Sequence, residues 1–160
     1  MTVQLDDQII SRKLLQFGIL LFLLGLSTGL LMPVFENPRM GLASHLEGIL
    51  NGMFLISLGL FWQRLYLKSL LKKVTLALVI YGTFANWFAT LMAAIWGAGS
   101  MMTIASAGFE GAPWQEILIT TLLFTLSFAM LAVCGLLLYG LRSASSAEYT
   151  SVNEVKHAAT

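Results

Sequence analysis

Charged residues are scarce in this sequence. Only 11% of its 160 residues are Asp, Glu, Lys or Arg, whereas 58% are apolar and the mean hydropathy is +0.82. Soluble domains carry about 25% charged residues, so this composition predicts a membrane protein. The formal net charge of +1 and the lack of a basic stripe argue against a nucleic-acid-binding protein.

Cysteine and several catalytic motifs are also missing. Cys134 is the single cysteine, so the sequence has no disulfide framework and no cysteine-based metal site. It contains no HExxH, P-loop, GxSxG or CxxC, which removes the zinc protease, nucleotide-dependent and serine hydrolase classes. The N-terminus does not read as a signal peptide, because Asp6 and Asp7 precede Arg12 and Lys13 and no small-residue cleavage site follows.

Four apolar segments are long enough to cross a bilayer as helices. A helix needs about 20 residues to span roughly 30 Å of hydrocarbon. The predicted helices cover about 14–35, 42–63, 74–97 and 117–141. The alternating pattern of a membrane β-barrel is absent. The sequence therefore predicts an all-α integral membrane four-helix bundle.

The distribution of Lys and Arg predicts the orientation of this bundle. Eight basic residues lie in the N-terminal segment, the second connection and the C-terminal tail: Arg12, Lys13, Arg64, Lys68, Lys72, Lys73, Arg142 and Lys156. The first connection has Arg39 alone, and the third has none. The positive-inside rule then places both termini in the cytoplasm. The predicted organisation is a cytoplasmic segment 1–13, a transmembrane domain 14–141 and a polar, disordered tail 142–160.

Polar side chains occur where the second predicted helix begins, in NPRMGLASHLEGILNGMF, residues 37–54. This segment offers the imidazole of His45, the carboxylate of Glu47 and the amide of Asn51. Glu47 and Asn51 are four residues apart and so share a helix face. Buried polar groups in a membrane need partners, which makes each of the three a candidate functional residue.

Two glycines follow His45 on the same helix face, and their presence allows two interpretations. Gly48 and Gly52 form a GxxxG motif that lets two helices pack closely. Alternatively, they leave room for a flat cofactor such as a porphyrin beside His45, since histidine is a common axial ligand of haem iron. His157 lies in the polar tail, so His45 is the one usable histidine. A haem held by it would keep its sixth position open or filled across a subunit interface, which suits an oxygen-bearing substrate.

The third predicted helix, YGTFANWFATLMAAIWG, carries a second polar stripe with aromatic neighbours. One interpretation is that its Thr and Asn side chains bond across helices while the aromatic rings fill the core. The other is a pocket with an aromatic wall and two inward carboxamides, Asn51 and Asn86. The residues concerned are Tyr81, Thr83, Phe84, Asn86, Trp87 and Thr90.

These motifs resemble a known family. The pattern His45–x5–Asn51–Gly52–Met53, followed by YGTFANW, resembles the membrane-bound hydroxylaminobenzene mutases and their relatives, the styrene oxide isomerases. The resemblance covers residues 14–141, and NPRMGLASHLEGILNG and GAPWQE look closer to the mutase branch. Thr90 stands about where the styrene oxide isomerases have a tyrosine. This departure argues against an aryl epoxide, which is kept as the alternative substrate.

The resemblance implies a cofactor and a mechanism. Isomerases of this family are homotrimers that bind haem b between subunits, with an axial histidine that matches His45 and a substrate-holding asparagine that matches Asn51. Ferric haem acts there as a Lewis acid. The resemblance implies a redox-neutral rearrangement of an aryl hydroxylamine, a small aromatic substrate, to an ortho-aminophenol in the bacterial inner membrane. The predicted site comprises catalytic Asn51 and Asn86, cofactor-binding His45, Gly48 and Gly52, and pocket residues Tyr81, Phe84, Trp87 and Thr90.

Three other classes fit the sequence less well. A glutathione-dependent membrane transferase needs several basic residues for the glutathione carboxylates, and the predicted outer half has Arg39 alone. A small multidrug transporter needs a deep carboxylate, whereas Glu47 is predicted to lie near the surface. A non-enzymatic haem-binding subunit would use His45 and the glycines but would not need the two carboxamides.

Overall fold

The computed structural model describes the backbone of residues 2–158 and the side chains of residues 7–142. Every regular element in this described part is helical, so the predicted all-α class is confirmed. Three 3-10 turns lie between the helices, at Met32–Val34, Trp62–Arg64 and Ser100–Met102. The helices are α1 (Thr2–Leu31), α2 (Pro38–Phe61), α3 (Ser69–Trp96), the short α4 (Thr103–Ser106) and α5 (Pro113–Ala158).

Four of these helices are long and apolar enough to cross a membrane, as predicted. The spanning segments are Asp7–Val34, Pro38–Arg64, Ser69–Trp96 and Pro113–Arg142. Each begins several residues before its predicted start. Hydropathy marks where a chain becomes apolar, whereas the helix itself extends through polar residues to its cap. The membrane four-helix bundle is therefore confirmed, and the cytoplasmic position of the termini stays a prediction.

Helix α5 continues beyond the predicted end of the last span. Its backbone is helical as far as Ala158. The side chains after Arg142 and the backbone of residues 159–160 lie outside the described part of the chain. The disordered tail at 142–160 therefore stays a prediction, as does the assignment of 1–13 to the cytoplasm.

Helices α1 and α2 pack with their backbones in direct contact. A Cβ atom built on Gly48 would lie 2.5 Å from the Cα of Gly25, and one built on Gly52 would lie 2.7 Å from the backbone nitrogen of Phe22. A side chain at either position would therefore push the helices apart. Because lipid gives helices little hydrophobic reason to associate, such close contact is a main source of attraction in a membrane.

Helix α3 packs against α2 on one side and α5 on the other. Large apolar side chains close the middle of the bundle, while others remain exposed on its outer surface, such as Leu30 at 84%. An outer surface of this kind suits contact with lipid chains. The fully buried members of the main core include Leu14, Leu21, Leu55, Leu58, Trp62, Val79 and Val133.

Asn37 fixes the start of α2 and so the position of the polar residues further along it. Its side-chain oxygen accepts hydrogen bonds from the backbone N–H groups of Arg39 (3.1 Å) and Met40 (3.2 Å). Pro38 occupies the first helical position, as is favourable there. The amide nitrogen of Asn37 donates to the backbone carbonyl of Ser106 at 2.9 Å, which ties this cap to α4.

Glu116, in the first turn of α5, organises the connection between α3 and α5. Its carboxylate accepts hydrogen bonds from the backbone N–H groups of Gly99 (2.9 Å), Ser100 (3.0 Å) and Gly111 (2.8 Å). The hydroxyl of Ser100 adds a fourth bond at 2.7 Å. One side chain thus holds two separate parts of the connection.

Candidate functional site

Glu47 brings the two predicted catalytic asparagines together. Its Oε2 atom accepts a hydrogen bond from Nδ2 of Asn51 at 3.0 Å and another from Nδ2 of Asn86 at 2.5 Å. Asn51 lies one turn further along α2, whereas Asn86 comes from α3. All three side chains are partly buried. The result is a polar cluster of one carboxylate and two carboxamides where α2 meets α3.

The sequence does not predict the bond between Glu47 and Asn86: its spacing places Glu47 near the surface and outside the predicted site. The i,i+4 spacing predicted contact with Asn51, since both lie on one helix. Contact with Asn86 depends on how α2 and α3 pair, and helix pairing is not visible in local spacing. The available signal was the rule that a polar group within a membrane span has a partner.

His45 is held by α1 through its Nδ1 atom. That atom lies 2.8 Å from the backbone carbonyl oxygen of Gly25. A carbonyl can only accept, so Nδ1 carries a proton, and in the neutral ring Nε2 then keeps its lone pair. No hydrogen bond to Nε2 occurs among the described residues. Metal-ligating histidines are commonly oriented in this way, with the other ring N–H on a backbone carbonyl.

A haem ligand is therefore compatible with the geometry of His45, whereas a bare metal site is not supported. Within residues 7–142, no group of three or more His, Cys, Asp and Glu side chains is placed to hold a metal ion. Axial ligation of haem iron needs only one histidine from a chain. Gly29 lies beneath the ring, because a Cβ atom built there would be 2.6 Å from Nδ1 of His45.

Gly48 and Gly52 were predicted to clear room for a cofactor, and their contacts do not support that role. The space beside both glycines is filled by the backbone of α1. Helix α1 carries its own small residues, Gly25 among them, and these meet the GxxxG motif of α2. The helix-packing interpretation therefore accounts for both glycines.

His45 and the carboxamides contact different neighbours of α2. The imidazole lies against α1, while Asn51 reaches the α2–α3 boundary. Six residues of α-helix separate them, which places the two side chains about 120° apart around the helix axis. No hydrogen bond connects His45 with either asparagine in the described part of the chain.

Aromatic residues of α3 form a shallow groove of about 360 Å³. The predicted pocket residues Tyr81, Phe84 and Trp87 line it together with Ile80, Ala85 and Phe88. Two residues of helix, or about 200°, separate Asn86 from either Phe84 or Phe88. Neither Asn51 nor Asn86 lines this groove, so within residues 7–142 the aromatic wall and the carboxamides do not share it.

Thr90, also a predicted pocket residue, does not line this groove. It is only 4% exposed, and its hydroxyl donates to the carbonyl oxygens of Asn86 and Trp87 in its own helix, both at 3.0 Å. Trp87 is tied to α1 through its indole N–H, which donates to the hydroxyl of Thr28 at 3.2 Å. The Trp87 bond joins α3 to α1, whereas the Thr90 bonds stay within α3.

The fold and the polar cluster describe an integral membrane protein with a small polar site inside a helical bundle. The chain belongs to the styrene oxide isomerase family, which matches residues 10–142. It is 54% identical over 145 residues to hydroxylaminobenzene mutase HabB of Ectopseudomonas oleovorans, covering 90% of this chain and 88% of that protein. Identity to hydroxylaminobenzene mutase HabA of the same organism is 49% over 125 residues, covering 78% and 93%. No solved structure gives a significant match.

These matches confirm the family indicated by the sequence motifs. The chain is an enzyme of the isomerase class, of the mutase type. The interpretations as a transferase, a transporter or a non-enzymatic subunit are thereby set aside.

Proposed function

We propose that this enzyme rearranges an aryl hydroxylamine, such as hydroxylaminobenzene, to an ortho-aminophenol. The N–O bond breaks, a C–O bond forms at the ortho carbon, and the proton lost from that carbon balances the one gained by nitrogen. Substrate and product are isomers, so no oxidant or reductant is consumed. The observation that carries the proposal is the carboxamide pair held by Glu47, in a chain 54% identical to a hydroxylaminobenzene mutase.

Haem b is the proposed cofactor, and His45 would ligate its iron. The support is the imidazole itself, which is anchored through Nδ1 and has a lone pair at Nε2. Bound ferric haem would supply a Lewis acid that polarises the N–O bond. The chain's own contribution is to hold the substrate, through Asn51 and Asn86, and to exclude water.

The aromatic groove of a neighbouring copy is proposed to serve the substrate's ring, because the groove and the carboxamides of one chain share no lining residue. As the N–O bond breaks, positive charge develops on that ring, and the faces of Phe84 and Trp87 favour positive charge nearby. Apolar walls also keep bulk water from intercepting the ring before the hydroxyl returns to it. The groove therefore favours transfer within one molecule over hydrolysis.

We further propose that the enzyme is a homotrimer in the bacterial inner membrane, with haem at the subunit interfaces and both termini in the cytoplasm. The support for an interfacial site is that His45 and the carboxamides contact different helices of one chain. A site that uses both is more easily completed between two copies, with His45 from one and the carboxamides from the next. The Lys and Arg distribution supports the orientation.

The test uses detergent-purified protein and the His45→Ala variant. We expect the wild type to show a haem Soret absorbance band and to convert hydroxylaminobenzene to 2-aminophenol without added oxidant. His45→Ala should lose both the band and the turnover, because the iron loses its ligand. A variant that keeps both would rule out His45 as ligand. A wild type that leaves hydroxylaminobenzene unchanged would rule out the proposed reaction.

Mixed assemblies test the interfacial site. Chains with His45→Ala and chains with Asn51→Leu are each expected to be inactive when alone. Co-expressed in equal amounts, they should regain about a quarter of wild-type activity, since random pairing joins an intact His45 to an intact Asn51 at one interface in four. No recovery in well-folded mixed trimers would place both residues in one chain's site.

An aryl epoxide is the second candidate substrate, because the matching family is that of styrene oxide isomerase. Parallel assays with styrene oxide and hydroxylaminobenzene, on the same preparation, would rank the two substrates by kcat/KM.

A further inference from the structure

Glu47 is a carboxylate within a membrane span, and both of its hydrogen-bond partners are side-chain amides. Burying such a group is costly, so its partners indicate why it is there. The one salt bridge among the described residues joins Lys72 to Asp7 and does not involve Glu47. Glu47 Oε2 instead accepts from Asn51 Nδ2 and Asn86 Nδ2.

This arrangement determines which way the two amides point. Because the Oε2 atom of Glu47 accepts both hydrogen bonds, each amide must turn its NH₂ group toward it. The carbonyl oxygen sits on the same planar carbon as that nitrogen and therefore points away from Glu47. Turning either amide over would bring two acceptor oxygens together and lose a hydrogen bond.

We propose that Glu47 is a positioning residue that presents the carbonyl oxygens of Asn51 and Asn86 to the substrate. The site then selects substrates that donate hydrogen bonds. A hydroxylamine offers an N–H and an O–H to such acceptors, whereas the oxygen of an epoxide can only accept. The inference rests on the proposed function for the identity of the donor, and it explains why this chain would favour a hydroxylamine over an epoxide.

A binding experiment tests the amide orientation without depending on turnover. Benzyl alcohol and benzyl methyl ether have similar shapes, but only the alcohol donates a hydrogen bond. We expect calorimetric titration of the purified full-length protein to show the alcohol binding roughly tenfold more tightly, the size of one hydrogen bond to a buried acceptor. Equal affinity for the two, or tighter binding of the ether, would overturn the proposal.

Two conservative variants separate positioning from other roles of Glu47. Glu47→Gln keeps the reach of the side chain but adds an NH₂ group that can donate to either amide oxygen, so the amides are free to turn over. The alcohol preference should fall to about threefold or less, and kcat/KM for hydroxylaminobenzene should fall by roughly tenfold. Glu47→Asp keeps the charge but shortens the side chain, so the amides lose their support. That variant should lose the alcohol preference, and its kcat/KM should fall by roughly 10- to 100-fold, largely through a raised KM.

Retention of the full alcohol preference in Glu47→Gln would show that an acceptor-only group is not needed to orient the amides, and would overturn the proposal. So would wild-type behaviour of both variants. Glu110→Gln, at an exposed carboxylate in the α4–α5 connection, is the matched control. A wild type that prefers benzyl alcohol but leaves hydroxylaminobenzene unchanged would rule out the proposed reaction, while it would still support the positioning role of Glu47.

Discussion

Two carboxylates of this protein have different kinds of partners. Glu116 accepts three hydrogen bonds from backbone N–H groups and one from the Ser100 hydroxyl. Glu47 accepts two, both from side-chain amides. A carboxylate bound to the backbone fixes the course of the chain. One bound to side chains fixes the orientation of groups that remain able to contact a ligand, which is why Glu47 and not Glu116 belongs to the candidate site.

Location reinforces this difference. Glu116 stands in the first turn of α5, where a negative charge is favoured by the helix dipole and by free backbone N–H groups. Glu47 stands further inside its span, where neither source of stabilisation is available and the two asparagines must provide it. A polar group retained in such a place is commonly functional.

The largest effect is expected when the side-chain partners of Glu47 are removed. Asn86→Leu should lower kcat/KM for hydroxylaminobenzene by about 100-fold, because the variant loses a substrate contact and leaves Glu47 with one donor. The unfolding free energy should fall by about 1–3 kcal/mol for the second reason. Steady-state kinetics and thermal unfolding in detergent measure the two. Unchanged kinetics would mean that the partners of Glu47 have no role in catalysis, so that Glu47, like Glu116, would have only a structural role.

An intermediate effect, on stability and not on catalysis, is expected at the other carboxylate. In Glu116→Gln an NH₂ group replaces one oxygen and faces N–H donors that it cannot accept from. The unfolding free energy should fall by about 1–3 kcal/mol, while kcat and KM at 25 °C stay near the wild-type values. A loss of activity larger than the loss of folded protein would give Glu116 a role in the site.

The smallest effect is expected from Ser100→Ala. This variant removes only the hydroxyl among the four donors of Glu116, and the three backbone N–H groups remain. The unfolding free energy should fall by about 0.5–1.5 kcal/mol, the usual net value of one hydrogen bond. Thermal unfolding of the variant beside Glu116→Gln would show whether the backbone bonds dominate, as the comparison requires. An equal loss in both variants would contradict it.

Much of the site could be predicted from local chemistry. His45, Asn51 and Asn86 were identified because each is a polar group in an otherwise apolar span, and that rule needs no tertiary information. The role of Glu47 is not predicted from its own helix, because its second partner lies on α3. Thr90 was assigned to the pocket from its spacing to Asn86, yet its hydroxyl bonds to the backbone of its own helix.

Gly48 and Gly52 also show that spacing within one helix does not predict contacts between helices. A GxxxG motif next to a histidine is compatible with a cofactor and with helix packing, and spacing alone leaves both open. The contact of Gly48 with Gly25 favours packing. Nothing in the local sequence of α2 specifies that α1 approaches this face.

The order of residues was sufficient to predict the number of spans, their approximate ends and the all-α class. Those properties depend on the length and hydropathy of single segments, and each helix satisfies its own backbone hydrogen bonds. The pairing of Glu47 with Asn86, the burial of Gly48 against Gly25 and the separation of His45 from the carboxamides arise from the rotation and contact of whole helices. These contacts join residues 20 or more positions apart, so they follow from how the bundle packs and not from any one segment.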